Sequence, residues 1–283
     1  MDRGRRVDVS TASQATDVVT HHGEGPFWDS VNDRLLVVDM LAGAVVAPLS
    51  GERYELGGVA AAIRARSGGG YVLATERGFQ RYAGDFTAEG APIRAFTDPA
   101  IRMNDGGCDP QGRFYCGTMA YASTPGAGTL YRLDPDLTVH TVLTGVTISN
   151  GIQWAADGHH VYYNDTPTGR VDRHAFDPAS GTLENRETFA TVEQPDGMAL
   201  DAEGGVWVAL WGGGAIHRYA PDGTLTDRIT VPVRQTTACT FGGTTLYITT
   251  SRDGLGDKAE PGAGAVFAAE VGVRGAPQHT FAA

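Results

Sequence analysis

Four polar positions, each followed closely by glycine, carry the chemistry available to this chain. They are Glu24 in Gly23-Glu24-Gly25-Pro26, Asn150 in Ile148-Ser149-Asn150-Gly151, Asp196 in Gln194-Pro195-Asp196-Gly197, and the pair Arg102 and Asn104 in Ile101-Arg102-Met103-Asn104-Asp105-Gly106-Gly107. An apolar stretch follows each one. Taken singly, Asn-Gly and Asp-Gly are turn dipeptides, and a structural turn is the ordinary reading. The reading changes if the fold brings the same position of several units to one axis. Two carboxylates and an amide oxygen meeting there repel one another unless a cation lies between them. Hard oxygen donors of this kind suit Ca²⁺, Mg²⁺ or Mn²⁺ and also admit Zn²⁺ or Fe²⁺. The eight histidines form no cluster, and His21-His22 and His159-His160 read as surface pairs beside turns.

The elements that must position these residues recur along the chain. A short apolar strand, a turn, an aromatic-rich strand and a third strand appear at 25–49, 60–82, 107–134, 151–177, 197–219 and 238–270. The middle strands repeat at roughly 40–45 residues, the spacing of propeller blades. Runs such as Leu35-Leu36-Val37-Val38 and Val206-Trp207-Val208-Ala209-Leu210 are strand-like, and Ala156-Asp157-Gly158 and Pro221-Asp222-Gly223 supply turns. The expected fold is all-β: a six-bladed β-propeller with four-stranded antiparallel blades, forming a single domain over 1–283. Residues 7–19 are left over, and they are expected to add the outer strand of the last blade and close the ring. A β-sandwich does not explain six similar units, and a seven-bladed ring lacks the residues. Because a propeller's innermost strands line its central channel, the polar residue heading each of them is expected to face the axis.

Composition narrows the function classes. Lysine and arginine number 22 against 33 aspartates and glutamates, a net charge of −11. Nucleic-acid binding, which needs a basic surface, is disfavoured. Three arginines among residues 1–6 read as a solvated terminus, too few for a basic arm. No segment reaches the length of a membrane span, and no apolar stretch after the first arginines marks a secretory signal. Cys108, Cys116 and Cys239 are odd in number and lack zinc spacing. Reduced thiols in a cytoplasmic protein are expected. Cys108 and Cys116 flank a turn, but nothing demands that they pair. Covalent catalysis finds little support: Ser149 lacks the Gly-x-Ser-x-Gly setting, and Cys239 reads as a buried structural thiol. Asp165 is also taken as structural. A propeller completes its own core, so a monomer suffices.

Six segments in order carry a resemblance: Gly23-Glu24-Gly25-Pro26, Arg102-Met103-Asn104-Asp105-Gly106, Gly117-Thr118-Met119-Ala120, Ile148-Ser149-Asn150-Gly151, Pro195-Asp196-Gly197-Met198 and Thr236-Thr237-Ala238-Cys239. Through them the chain resembles the SMP-30/gluconolactonase/LRE family, the regucalcin-like lactonases, over nearly its whole length. The resemblance implies a six-bladed propeller that holds one divalent cation through Glu24, Asn150 and Asp196, with Ca²⁺ ahead of Zn²⁺, Mn²⁺, Mg²⁺ and Fe²⁺. It implies substrate contacts from Arg102 and Asn104, and a small-molecule lactone as substrate. The implied reaction opens a sugar (aldono-)lactone by water attack on a metal-polarised carbonyl, with Asp196 as the candidate general base. Some relatives carry a glutamate where this chain has Tyr121. Tyr121 is expected to bind substrate by stacking or by donating one hydrogen bond, and the substitution leaves the particular lactone open. Two alternatives stand beside this: a hydrolase of other esters or phosphotriesters on the same scaffold, and a non-enzymatic calcium-binding propeller.

Overall fold

The computed structural model describes residues 7–283, so the arginine-rich residues 1–6 lie outside the described residues. The chain winds into six antiparallel meanders, each built outward from an inner strand. The inner strands are Gly23–Asp29, Ala60–Ala65, Ile101–Cys108, Ser149–Trp154, Pro195–Leu200 and Thr236–Gly242, heading blades one to six. They pack against one another in a closed cycle, the sixth against the first. This is the six-bladed, four-stranded propeller expected from the repeat. Among the described residues, two three-residue 3₁₀ turns, Thr166–Thr168 and Gly256–Lys258, interrupt the β-structure.

Burial explains why the strands read as apolar runs. Inner and middle strands lie between neighbouring blades and are covered on both faces, so Leu35, Leu36, Val37 and Val38 are all buried. The outermost strands face solvent and turn polar, as in Ala88–Arg94. Residues 7–19 divide between two blades. Ser13–Val18 pairs antiparallel with Ala265–Glu270 at the outer edge of blade six. Asp8–Thr11 instead runs parallel to Leu225–Thr230, giving blade five a fifth strand. Between them Ala12 is buried. Inside the ring, Thr237 Oγ1 donates to the Gly23 carbonyl at 2.6 Å and ties blade six to blade one.

At one end of the channel the chain terminus crosses the ring. The Ala276 amide donates to the Leu200 carbonyl at 2.9 Å, Gln278 Nε2 to Thr240 Oγ1 at 2.5 Å, and the Phe281 amide to the Ala65 carbonyl at 2.9 Å. Residues 275–283 thus run from blades five and six across to blade two.

One irregularity matters most for the site. In every blade the pairing between inner and second strand slips by a residue near the same end: at Glu24/Phe27, Ala60/Ala62, Met103/Gly106, Asn150/Ile152, Pro195/Met198 and Thr236/Ala238. A bulge bends its strand and re-aims the side chains beside it. The polar-glycine pairs are therefore bulges within strands, not chain reversals. Glycine is needed there for close approach. A Cβ on Gly151 would lie 2.8 Å from Met198 Cε and 2.9 Å from the Asp196 carbonyl oxygen, and one on Gly197 would strike Ala238.

Candidate active site

The six bulges ring one end of the channel, where a cavity of about 370 Å³ opens. Glu24, Arg102, Asn104, Asn150, Asp196 and Tyr121 all line it, so the fold brings together every site residue expected from the sequence. Each of the first five sits at or beside the bulge of its inner strand. Tyr121 follows the second strand of blade three, Phe114–Ala120.

A chain of hydrogen bonds fixes the floor. Arg102 Nη1 donates to Asn104 Oδ1 at 2.6 Å and to its neighbour's carbonyl, Met103 O, at 3.0 Å. Asn104 Nδ2 donates to the Ser149 carbonyl at 2.9 Å and to Asn150 Oδ1 at 2.8 Å. Asn150 Nδ2 donates to Thr166 Oγ1 at 2.7 Å, whose own hydroxyl hydrogen goes to the Pro195 carbonyl at 2.7 Å. Thr166 can therefore only accept from Asn150, which sets that amide's orientation. The Asn150 oxygen faces Asn104 and keeps a further lone pair.

The carboxylates have few donors. Glu24 and Asp196 are each only 4 % exposed. Glu24 Oε2 accepts the Gly25 amide at 3.1 Å. Burial first, then the negative charge of Asp105, pushes Glu24 up to about 8. Asp196 is raised well above the carboxylate range by burial, then by the charges of Glu24 and Asp105. Burial also raises Asp105, against the pull of Arg64, and lowers Arg102. Mutual repulsion among under-solvated carboxylates is what a bound cation relieves. No three His, Cys, Asp or Glu side chains cluster as a metal cage among the described residues. The donor set is instead mixed, two carboxylates and an amide oxygen, and this hard-oxygen chemistry fits a single divalent cation with water completing its shell.

Tyr121, 48 % exposed, forms part of the rim. Its hydroxyl donates to Glu76 Oε1 at 2.9 Å, and the Arg102 guanidinium carbon lies 5.9 Å from its ring centroid. A carboxylate therefore does stand near this position, supplied by blade two.

His22 and Trp211, which sequence reasoning did not place at the site, line the same cavity, as does Asp253. His22 corrects the expectation of a surface pair: it is 8 % exposed, its Nδ1 is 2.7 Å from Ser251 Oγ, and burial, with Arg102 next, lowers it to about 4. Strand alternation was the available signal, since residues two apart share a face and His22 precedes Glu24 by two. His21, by contrast, is exposed, as is the His160–Asp157 pair.

The remaining candidates are structural. Ser149 is fully buried and accepts the Tyr163 hydroxyl at 2.7 Å. Asp165 accepts the Thr147 and Ile148 amides at 2.9 and 2.8 Å and so anchors the start of blade four. The three cysteines are unpaired and buried, and burial raises each thiol. Further along the channel, Asp105 and Arg64 face a much smaller space of about 50 Å³, to which Gln278 and His279 of the crossing terminus also contribute.

The family model for the SMP-30/Gluconolactonase/LRE-like region matches residues 22–252. Regucalcin from Bos taurus is 35% identical over 285 residues, covering 92% of this chain and 95% of that protein. Pentonolactonase XacC from Haloferax volcanii is 35% identical over 293 residues, covering 95% and 97%. Among solved structures, a calcium-binding protein, regucalcin, from Agrobacterium tumefaciens superposes with a TM-score of 0.89 at 26% identity, covering 98% of this chain and 100% of that one.

Proposed function

The chain belongs to the SMP-30/gluconolactonase/LRE-like family, and from that premise we propose that it hydrolyses the ring ester of a small sugar (aldono-)lactone in the cavity headed by Glu24, Asn150 and Asp196. The observation that carries this reading is the burial of two carboxylates and one amide oxygen around a single cavity, with a guanidinium tied to that amide through Asn104. A cavity of about 370 Å³ suits a small ligand, and the pentonolactonase among the relatives supports the lactone class.

Glu24, Asn150 and Asp196 would hold one divalent cation, Ca²⁺ ahead of Zn²⁺, Mn²⁺, Mg²⁺ and Fe²⁺. Once bound, such an ion polarises a carbonyl and acidifies a neighbouring water. Asp196 accepts a proton from the attacking water as the water oxygen bonds to the lactone carbonyl carbon. Arg102 donates to the oxygen on which negative charge develops, a role its permanent charge suits. The ring C–O bond then breaks, the departing alcohol oxygen takes the proton from Asp196, and the product is a hydroxy acid. Asn104 holds Arg102 and Asn150 in register, and Tyr121 supports the sugar ring at the rim. All six inner strands come from one chain, so we read the ring as a single catalytic domain that needs no partner. Three unpaired buried thiols fit a reducing compartment, the cytoplasm.

The test is a metal-by-substrate matrix on stripped and reconstituted protein. Aldonolactone turnover that depends on a divalent cation is expected. Preference for phosphotriesters or aryl esters would overturn the lactone reading, as would tight Ca²⁺ binding without turnover of any substrate. Full lactone turnover by the stripped protein would overturn the metal.

A further inference from the structure

The cyclic order of six blades sets blade three, which carries Arg102 and Tyr121, across the channel from blade six. On that far side the cavity is walled by His22, Trp211 and Asp253. Ser251 holds the group together. A β-bridge joins His22 to Ser251, and the Ser251 hydroxyl oxygen accepts the Asp253 amide at 3.0 Å. The same oxygen lies 2.7 Å from His22 Nδ1. If the hydroxyl donates to Nδ1, the neutral ring carries its proton on Nε2; if Nδ1 donates to the hydroxyl, Nε2 of the neutral ring is an acceptor. In either tautomer Nε2 is a hydrogen-bonding nitrogen on a ring that lines the cavity. The Trp211 indole packs edge-to-face on the same imidazole, with centroids 6.0 Å apart and planes at 68°. Asp253 completes the wall with a carboxylate whose Oδ1 lies 3.3 Å from His21 Nε2.

A hydrogen-bonding nitrogen, a carboxylate and an aromatic plane on one wall match a polyol ring. Each hydroxyl both accepts and donates, and the C–H face packs on an aromatic surface. We infer that His22 is a substrate-positioning residue: its Nε2 hydrogen-bonds a ring hydroxyl of the lactone, Asp253 accepts from a hydroxyl, and Trp211 packs against the ring. The wall would make the site select hydroxylated lactones over bare ones. This inference rests on the lactone reading above.

The experiment compares kcat/KM on D-glucono-1,5-lactone with that on δ-valerolactone, the same ring without hydroxyls, and measures D-gluconate binding by calorimetry. In His22→Phe the ratio of the two kcat/KM values is expected to fall about tenfold, mainly through KM, as loss of a hydrogen bond to a bound polar group does. His22→Gln, whose amide can donate or accept, recovers part of it. Asp253→Ala, which removes the acceptor from a partly exposed loop, shows the same selective loss and carries the test if His22→Phe fails to fold. An equal fall on both lactones, or an unchanged ratio, overturns the inference. If the wild type hydrolyses neither lactone, the lactone reading fails by itself. The wall then stands if His22→Phe weakens gluconate binding about tenfold, and falls if the wild type does not bind gluconate.

Discussion

Asn104 and Asn150 join two blades at the floor of the cavity: Asn104 Nδ2 donates to Asn150 Oδ1 at 2.8 Å while Asn104 Oδ1 accepts Arg102 at 2.6 Å. One amide thus orients both a proposed metal donor and the guanidinium beside it. Asn104→Asp keeps the shape but removes the donor, and it places a carboxylate oxygen against the Ser149 carbonyl and the Asn150 oxygen. A loss of about 1–3 kcal/mol in stability is expected from the unpaired buried groups. Lactonase kcat/KM is expected to fall by at least about tenfold. Thermal melts and steady-state kinetics check both. Unchanged kinetics would remove Asn104 from the site.

Asp196 tests the proton acceptor separately from the metal donor. Asp196→Asn retains an oxygen that can face a cation but cannot take a proton. Its kcat is expected to fall by about 10²–10⁴-fold, the usual worth of general base catalysis. Asp196→Ala removes the oxygen as well and should also weaken divalent-cation affinity, read by calorimetry. An Asp196→Ala protein with full turnover sinks the assignment.

The propeller was legible because a blade is a local unit: strands 34–39 and 206–210 form apolar runs for the same reason, burial between neighbouring blades. The convergence of Glu24, Asn150 and Asp196 on one cavity was legible because each heads an inner strand before a glycine, Gly151 and Gly197 for close packing and Gly25 for a left-handed backbone. The bulges were not legible, since Asn-Gly within a strand and Asn-Gly in a turn look alike until the partner strand is known. Trp211 was hidden for another reason: it follows a middle strand, outside the repeated polar position. The parallel pairing of Asp8–Thr11 with blade five joins residues more than two hundred positions apart, with no local pattern to announce it.

Tyr121 and Glu76 offer a test of the rim. The hydroxyl reaches Glu76 at 2.9 Å and the ring lies near Arg102. Tyr121→Phe removes only the hydroxyl, so an effect of about 0.5–1.5 kcal/mol on substrate binding is expected. Tyr121→Ala also removes the ring face and should raise KM further. Equal KM values for the two variants would mean that the ring itself makes no contribution.

Glu24 predicts an unusual pH dependence for the metal-free protein. Its folded value stands near 8, against 4.5 unperturbed. Between those values the folded protein holds a proton that the unfolded chain has released. A folded state that binds more protons loses stability as pH rises. Buried histidines held low, His22 at about 4, gain stability as pH rises to about 6.5 and oppose this, so the metal-free Tm is expected to decline from about pH 6.5 to about pH 8. Carboxylates held low, such as Asp29 and Asp201, change their contribution only at more acid pH and do not mask this trend. A saturating divalent cation, which binds the deprotonated carboxylates, should flatten the decline. A chelated sample whose Tm climbs steadily through this range would contradict the account.

The crossing terminus can be separated from the chemistry. Phe281 is fully buried in the cluster that includes Phe27, Tyr71 and Phe114, far along the channel from the proposed metal donors. Its backbone exchanges hydrogen bonds with residues 65 and 67, Phe281 N to the Ala65 carbonyl at 2.9 Å and Ser67 N to the Phe281 carbonyl at 2.8 Å. Truncating this ring to alanine leaves a cavity that backbone pairing on both sides prevents from collapsing. A Phe281→Ala protein is expected to lose about 3–5 kcal/mol of stability. Its kcat/KM, measured well below the new Tm, should stay within about twofold of the wild type, a shift under 0.5 kcal/mol. Denaturant titration and kinetics on the same preparation decide the point. A large catalytic loss with little change in stability would mean that the terminus communicates with the cavity at the other mouth.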